Sequence, residues 1–450
     1  MNRILSWQDW AEREDRDAAL FEAAEAHRGS AEFRRALEAD AYFRGENPTV
    51  AAKTLLRAEK LETRDEDGRR RVGTQLTDVV GNRIGSSFLR RFVVQQAQYL
   101  LGNGVTLGEP GLKERLGTDF DRVLARMGET ALLHGVCWGF WNVDHLEALP
   151  VARDDLSGFL VLADERTGEP RLGIQYWQLE RRRPMHLRVF APEGLRFLSR
   201  AGESGQIREE EPPRPYRLLR TVSAAGVRET AAAWPGLPLI PFWANAAHRS
   251  EFTPAIRAKI DAYDRILSDF ADNLDRANDV YWVLNNFSGT AEDVAETLSV
   301  IRRLKAVASY SDGTGSASTA EPRTIDVPYA ARAEALRLLE KALYRDWMGL
   351  DTAELTGGSL TNVAIRAATA ALDLKTDRYE WEAFRFVRGL LRLLGADTDR
   401  IRFRRARIAD ESETVADIAA MRGDIDRATA LRLNPYLQPE EAEALLKGGA

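Results

Sequence analysis

"TPAIRAKIDAYDRILSDFADNLDRANDV", residues 253–280, decides how this chain is read. Thr253 suits an N-cap, and Pro254 suits the first helical position, where a missing N–H costs nothing. Ile256, Ile260, Tyr263, Ile266, Leu267, Phe270 and Leu274 follow at helical spacing and make one apolar face. Arg257, Lys259, Asp261, Asp264, Arg265, Asp269 and Asp272 fall on the other. The spacing predicts a helix from 254 to about 283, roughly 45 Å long at 1.5 Å per residue. A small insert follows, 286–328, in which "TAEDVAETLSVIRRL" reads as helix and "KAVASY", "SDGTGSAS" and "PRTIDVP" as a hairpin. A second helix covers 329 to about 349, with Leu336, Leu339, Leu343, Tyr344 and Trp347 on one side. So small an insert buries neither apolar face. The faces must pack on each other and on neighbouring copies of the chain, which implies a ring or bundle.

Outward from these helices the grammar alternates. Residues 5–40 read as charged, Ala-rich helix broken at Gly29, and 41–48 as a loop. Residues 82–104 and 112–135 are helical, the latter broken at Gly117. From 136 to 248 the chain is aromatic and β-branched, with 208–217 ("REEEPPRPYR") as a Pro-rich connector. Beyond the second long helix lies "DTAELTGGSLT" (351–361), then an Ala-rich helix from 362 to about 394, stopped by Gly395. "RIRFRR" (400–405) alternates like a half-buried strand, and short helices fill 413–421, 425–433 and 439–447. The fold class is α+β.

Composition narrows the function. With 44% hydrophobic and 29% charged residues the chain is globular, and a net charge of −6 argues against tight, nonspecific DNA binding. Cys137 is the only cysteine, and the five histidines show no HExxH or paired-ligand spacing. His134 and Cys137 sit in an apolar run that reads as core rather than as a nucleophile with its base. The pair Gly357-Gly358 opens a helix but lacks the Lys of a phosphate-binding loop, and a helix precedes it instead of a strand. Asp261, Asp264, Asp269, Asp272, Asp275 and Asp279 could suggest a metal site, yet the interleaved Arg257, Lys259, Arg265 and Arg276 read as a solvated face. No catalytic, cofactor or metal constellation emerges, and no apolar run approaches a membrane span.

An ordered series of short motifs then gives a resemblance. "YFRGENP", "NRIGSSFLRRFVVQQAQYLLGNGV", "HGVCWGFWNVD", "LPLIPFWAN", the stretch quoted first, "IDVPYAARAEALRLLEKALY", "LTGGSLTNVAIRAATAALDLKTDRYEW" and "FRRARIADESETVADIAAMRGDIDRATALRLNPYLQPEEAEAL" run collinearly over about 42–447. In that order the chain resembles the portal proteins of tailed bacteriophages, of the SPP1 type.

The resemblance implies an α/β wing at 41–248 and a stem helix at 249–285. It further implies a clip at 286–328, a second, antiparallel stem helix at 329–350 and a tunnel loop at 351–361. A wing helix and strand at 362–409 and a short helical crown at 410–450 complete the pattern, while residues 1–40 fall outside it. It implies a structural protein, not an enzyme: a homo-oligomeric ring, dodecameric in the virion, at one capsid vertex, assembled in the host bacterial cytoplasm. Double-stranded DNA would pass through the ring during packaging and ejection. Partners would be the terminase large subunit, capsid or scaffold protein, and the head-completion adaptor, with no cofactor and no membrane. Thr356, Gly357, Gly358, Ser359, Leu360, Thr361 and Asn362 would face the DNA from the tunnel loop. Asp261, Asp264, Asp269 and Asp272 would line the channel, where negative walls repel phosphates. The alternatives are a metal-dependent nucleic-acid-processing enzyme and a tail or baseplate ring component.

Overall fold

The computed structural model describes residues 5–64, 70–109, 111–202, 205–223, 226–232, 234–277, 281–285, 319–323, 329–353, 362–396, 400–406, 411–421, 423–434, 437 and 445–446. The chain divides into two compact units. One comprises residues 1–46, 87–257 and 344–450; the other comprises 47–86 and 258–343.

The first unit is built on a six-stranded antiparallel sheet in the order Ile207–Arg214, Gly194–Arg200, Met185–Ala191, Pro170–Trp177, Ser157–Ala163, Ala152–Asp154. Alternation along these strands puts Phe159, Ile174, Tyr176, Leu187, Val189 and Leu198 into a common core with Phe33 and Phe140. The first helices are part of this core. Arg16–Arg28 buries Leu20, Phe21, Ala23, Ala24 and His27. His27 Nδ1 lies 2.9 Å from the Tyr176 hydroxyl, and Arg196 forks onto Asp17 at 2.9 and 3.1 Å. Burial lowers the His27 pKa to about 4.

A three-stranded sheet, Leu239–Trp243 with Val136–Asn142 and His145–Pro150, packs beside helices Phe120–His134 and Asn362–Leu393. The long helix turns Leu372, Thr376, Tyr379, Ala383, Phe386 and Leu390 inward. Phe242 stacks on both Tyr379 and Phe386. Gly128 is what lets the helices meet: a Cβ there would lie 2.2 Å from the Tyr379 hydroxyl.

Several expectations change. Ala31–Arg44 stays helical through the first half of the expected loop, and Gly45 closes it in the left-handed conformation at φ 80°. The segment 208–217 is no connector, since Ile207–Arg214 is a strand carrying Pro212 and Pro213. It forms the sheet's edge and a bulge, and there a missing N–H breaks no ladder.

In the second unit, Thr54–Arg64 and Arg70–Val80 pair antiparallel over eleven residues, a hairpin that the sequence did not announce. Its other elements are residues 258–277 of the helix Pro254–Ala277, and 329–343 of the helix Tyr329–Trp347. The first helix stops short of 283, because Tyr281–Asn285, an aromatic and β-branched run, is a strand paired with Thr319–Arg323. The helix and hairpin expected within 286–318 lie outside the described residues.

Candidate functional site

The acidic face of the helix Pro254–Ala277 was expected to be solvated, and half of it is not. Asp264 is fully buried and Asp272 is 6% exposed. Asp264, Ser268 and Asp272 lie four residues apart, on one stripe, about 6 Å per step. Against them runs the segment 82–86. The Asn82 N–H donates to Asp272 Oδ1 at 2.7 Å, the Ile84 N–H to Ser268 Oγ at 3.0 Å, and the Ser86 N–H to Asp264 Oδ1 at 3.0 Å. Every second residue of a stretched chain advances about 6.6 Å, so the two spacings match. The helix thus satisfies a backbone that belongs to no sheet.

The same carboxylates hold both feet of the hairpin Thr54–Val80. Lys53 Nζ reaches Asp272 Oδ2 at 2.5 Å and Asp269 Oδ1 at 2.8 Å, with the Lys53 side chain 13% exposed. Asn82 Nδ2 donates to Asp272 Oδ1 at 3.0 Å and to Asp275 Oδ2 at 2.8 Å, and Asn47 Nδ2 to Asp264 Oδ2 at 2.8 Å. Burial pushes the Asp264 carboxyl up, only partly offset by its donors from Ser86 and Asn47. Burial acts in the same sense on Asp272, but Lys53 and Asn82 outweigh it and hold that carboxyl below its ordinary value. The assignment of Asp264 and Asp272 to a channel wall is therefore corrected: both are internal fasteners. Asp269 and Asp261 are partly exposed.

Residues 354–361 lie outside the described residues, and with them Thr356, Gly357, Gly358, Ser359, Leu360 and Thr361; so does the side chain of Asn362. The chain on either side is described, and it is anchored twice. Before it, Gln95 mimics a peptide group: Nε2 donates to the Leu350 carbonyl and Oε1 accepts from the Leu350 N–H, both at 2.9 Å. Trp347 stacks on Phe92 with centroids 5.3 Å apart, and Arg91 donates to the Tyr344 hydroxyl at 2.6 Å.

After it, Lys375 reaches back from the long helix. Its Nζ sits 3.6 Å from the Trp347 ring centroid, donates to the Trp347 carbonyl at 3.0 Å and pairs with Glu251 Oε2 at 3.1 Å. The ammonium meets the carbonyl end of the helix Tyr329–Trp347, where the dipole favours a cation. Glu251, which also accepts from Asn245 Nδ2 at 2.7 Å, lies just before the helix that starts at Pro254. Burial lowers the Lys375 pKa, with Glu251 opposing. One side chain thus ties three elements of the first unit together. Sequence reasoning missed Lys375 and Gln95; for Lys375 a signal exists, since it lies among the inward positions Leu372, Thr376 and Tyr379.

Other candidates are ordinary. Cys137 is fully buried and its thiol is pushed up to about 12, so it does not supply a thiolate near neutrality. His134 Nε2 lies 3.0 Å from Asp40 Oδ1, while the Cys137 thiol donates to the Trp138 carbonyl at 3.9 Å. Among the described residues no cluster of His, Cys, Asp or Glu is arranged to hold a metal ion, and no helix is long and apolar enough to cross a membrane.

The family model for phage portal proteins of the SPP1 Gp6-like type matches residues 24–449. It takes in residues 24–40, which the motif series left out. The chain is 30% identical over 219 residues to the portal protein of Clostridium phage phiCD119, covering 46% of this chain and 48% of that protein, about half its length. It is 24% identical over 402 residues to the portal protein of Bacillus phage SPP1, covering 82% of this chain and 77% of that protein. Among solved structures, a chain from the neck of an empty gene transfer agent particle gives a TM-score of 0.39 at 11% identity, covering 81% of this chain and 90% of that one. A chain from the virion of a native gene transfer agent particle gives 0.38 at 13% identity, covering 80% and 89%.

Proposed function

This chain belongs to the SPP1 Gp6-like family of phage portal proteins, and from that premise we propose that it works as a ring-forming conduit for double-stranded DNA at a capsid vertex. The match over residues 24–449 carries this reading. In the proposed arrangement the helices Pro254–Ala277 and Tyr329–Trp347 are antiparallel stem helices, 286–328 the clip, 351–361 the tunnel loop, and 410–450 the crown. The α/β wing is completed by the helix Asn362–Leu393. The ring would be dodecameric in the virion, assembled in the host bacterial cytoplasm. The terminase large subunit, then the head-completion adaptor, would dock on it, with capsid or scaffold protein around it.

Uncovered apolar side chains support the ring. On the helix Asn362–Leu393, Leu374 is 62% and Trp381 67% exposed; on Tyr329–Trp347, Leu338 is 54% exposed. A neighbouring copy would bury them, and at about 25 cal/mol per Å² such contacts add up quickly.

In this reading Thr356 to Asn362 touch passing DNA through small polar groups, and weak contacts keep the DNA moving. The Lys375 and Gln95 anchors would hold the two ends of that loop still. Of the acids first placed on the channel wall, Asp261 and Asp269 remain candidates. Deleting Gly357 to Leu360 tests the loop: rings should still assemble while packaging or retention of DNA fails. Packaging at the normal level would remove the loop's role. The nuclease alternative has a weaker basis, because both oxygens of Asp272 already accept from Lys53 and Asn82. Mg²⁺-dependent DNA cleavage that disappears in Asp269→Ala and Asp272→Ala would reinstate it.

A further inference from the structure

The strands Pro170–Trp177 and Met185–Ala191 are joined by residues 178–184, "QLERRRP", at one end of the six-stranded sheet. Leu179 is 83% exposed, more than any other large apolar side chain among the described residues. Arg181, Arg182 and Arg183 are exposed beside it, and they outnumber the single exposed carboxylate of the turn, Glu180. A lone exposed leucine means little, and so does a lone surface arginine. What distinguishes this turn is that it is braced.

Gln178 Nε2 donates to the carbonyls of Arg181 at 3.2 Å and Arg183 at 2.7 Å, while its Oε1 accepts from Arg28 Nη1 at 3.0 Å. The Arg183 N–H closes on the Glu180 carbonyl at 2.9 Å. At its base Trp177 stacks on His186, centroids 5.5 Å apart and planes 10° apart, and His186 Nδ1 lies 2.7 Å from Glu210 Oε1. The backbone is thus held in a shape that presents an apolar side chain next to three like charges, which repel one another. A fixed shape of that kind lowers the ordering cost of binding.

We propose that the turn 178–184 docks an acidic, amphipathic segment of a partner protein other than this chain. Guanidinium forks match carboxylates, and Leu179 gives the segment's apolar side a contact. Duplex DNA fits less well: its phosphates would use the arginines but leave Leu179 in water, and the chain's net charge of −6 opposes it. In the chain's own acidic run at 209–211, Glu209 pairs with Arg196, Glu210 with His186 and Glu211 with Arg214, so that run is already engaged.

The test is fluorescence anisotropy on the full chain with a labelled peptide carrying Glu and Leu at helical spacing. A Lys/Leu peptide and duplex DNA serve as comparison probes. The Glu/Leu peptide should bind and weaken with salt. Its affinity should fall about tenfold or more in R181E/R182E/R183E, and about tenfold in Leu179→Ser. Gln178→Ala, which loosens the turn, should weaken it less. Leu179 and the three arginines are exposed, so thermal melting of R181E/R182E/R183E and Leu179→Ser should be unchanged. The proposal is overturned if the Glu/Leu peptide does not bind, if Leu179→Ser binds it as the native chain does, or if the Lys/Leu peptide or duplex DNA binds as tightly. It is also overturned if R181E/R182E/R183E changes the size of the assembly in light scattering, because the turn would then be a contact between copies.

Discussion

Asp272 shows how much one carboxylate can carry. It accepts from Lys53, from the Asn82 N–H and from the Asn82 amide, so its removal leaves a nearly buried cation with Asp269 as its one remaining carboxylate among the described residues, and an orphaned N–H. Asp272→Ala should destabilise the second unit by about 3 kcal/mol, read as a lower denaturant midpoint. The sign of its pH dependence follows from its depressed pKa. Its contribution is complete above the ordinary aspartate value and is lost as pH falls through the lower, folded one. Stability of the native chain should therefore converge on that of Asp272→Asn below about pH 4. Asp264, held high, acts in the opposite sense: its penalty appears as pH rises through the ordinary aspartate value, so Asp264→Asn should gain relative to the native chain across that window. Neither role was legible in the sequence. Interleaved Asp and Arg at helical spacing look the same whether the face meets water or the N–H groups of another segment.

At the scale of elements, the legible features were those with a strong local period. The long helices, the break at Gly117 and the strand Ile401–Phe403 follow from apolar spacing and from glycine alone. The hairpin Thr54–Val80 escaped, since "TLLRAEKLETR" fits a helix as readily as a strand and only its pairing with Arg70–Val80 decides. Prolines misled at Ile207–Arg214 because an edge strand tolerates them. Lys375 belongs to this scale too, as it joins the helix Asn362–Leu393 to Trp347 and Glu251. Lys375→Met keeps the packing on Trp347 but strands Glu251, and should cost about 3 kcal/mol. Adding Glu251→Gln should restore part of that loss in a double-mutant cycle; strictly additive losses would mean the pair is not coupled.

For the whole molecule, no single residue announced the family; the order of weak motifs did, and the match over residues 24–449 agrees with it. A DNA-facing role for the loop at 351–361 is proposed from that resemblance alone, since residues 354–361 are chemically plain. The exposed Trp381 and Leu374 belong to the assembly scale. Trp381→Asp should leave the folded chain intact by circular dichroism and shift the assembly toward smaller species. The measurement that bears most directly on the account is negative-stain imaging of the purified chain. The account predicts rings with a central hole, their subunit number read by class averaging. A particle that stays monomeric at every salt concentration would contradict it.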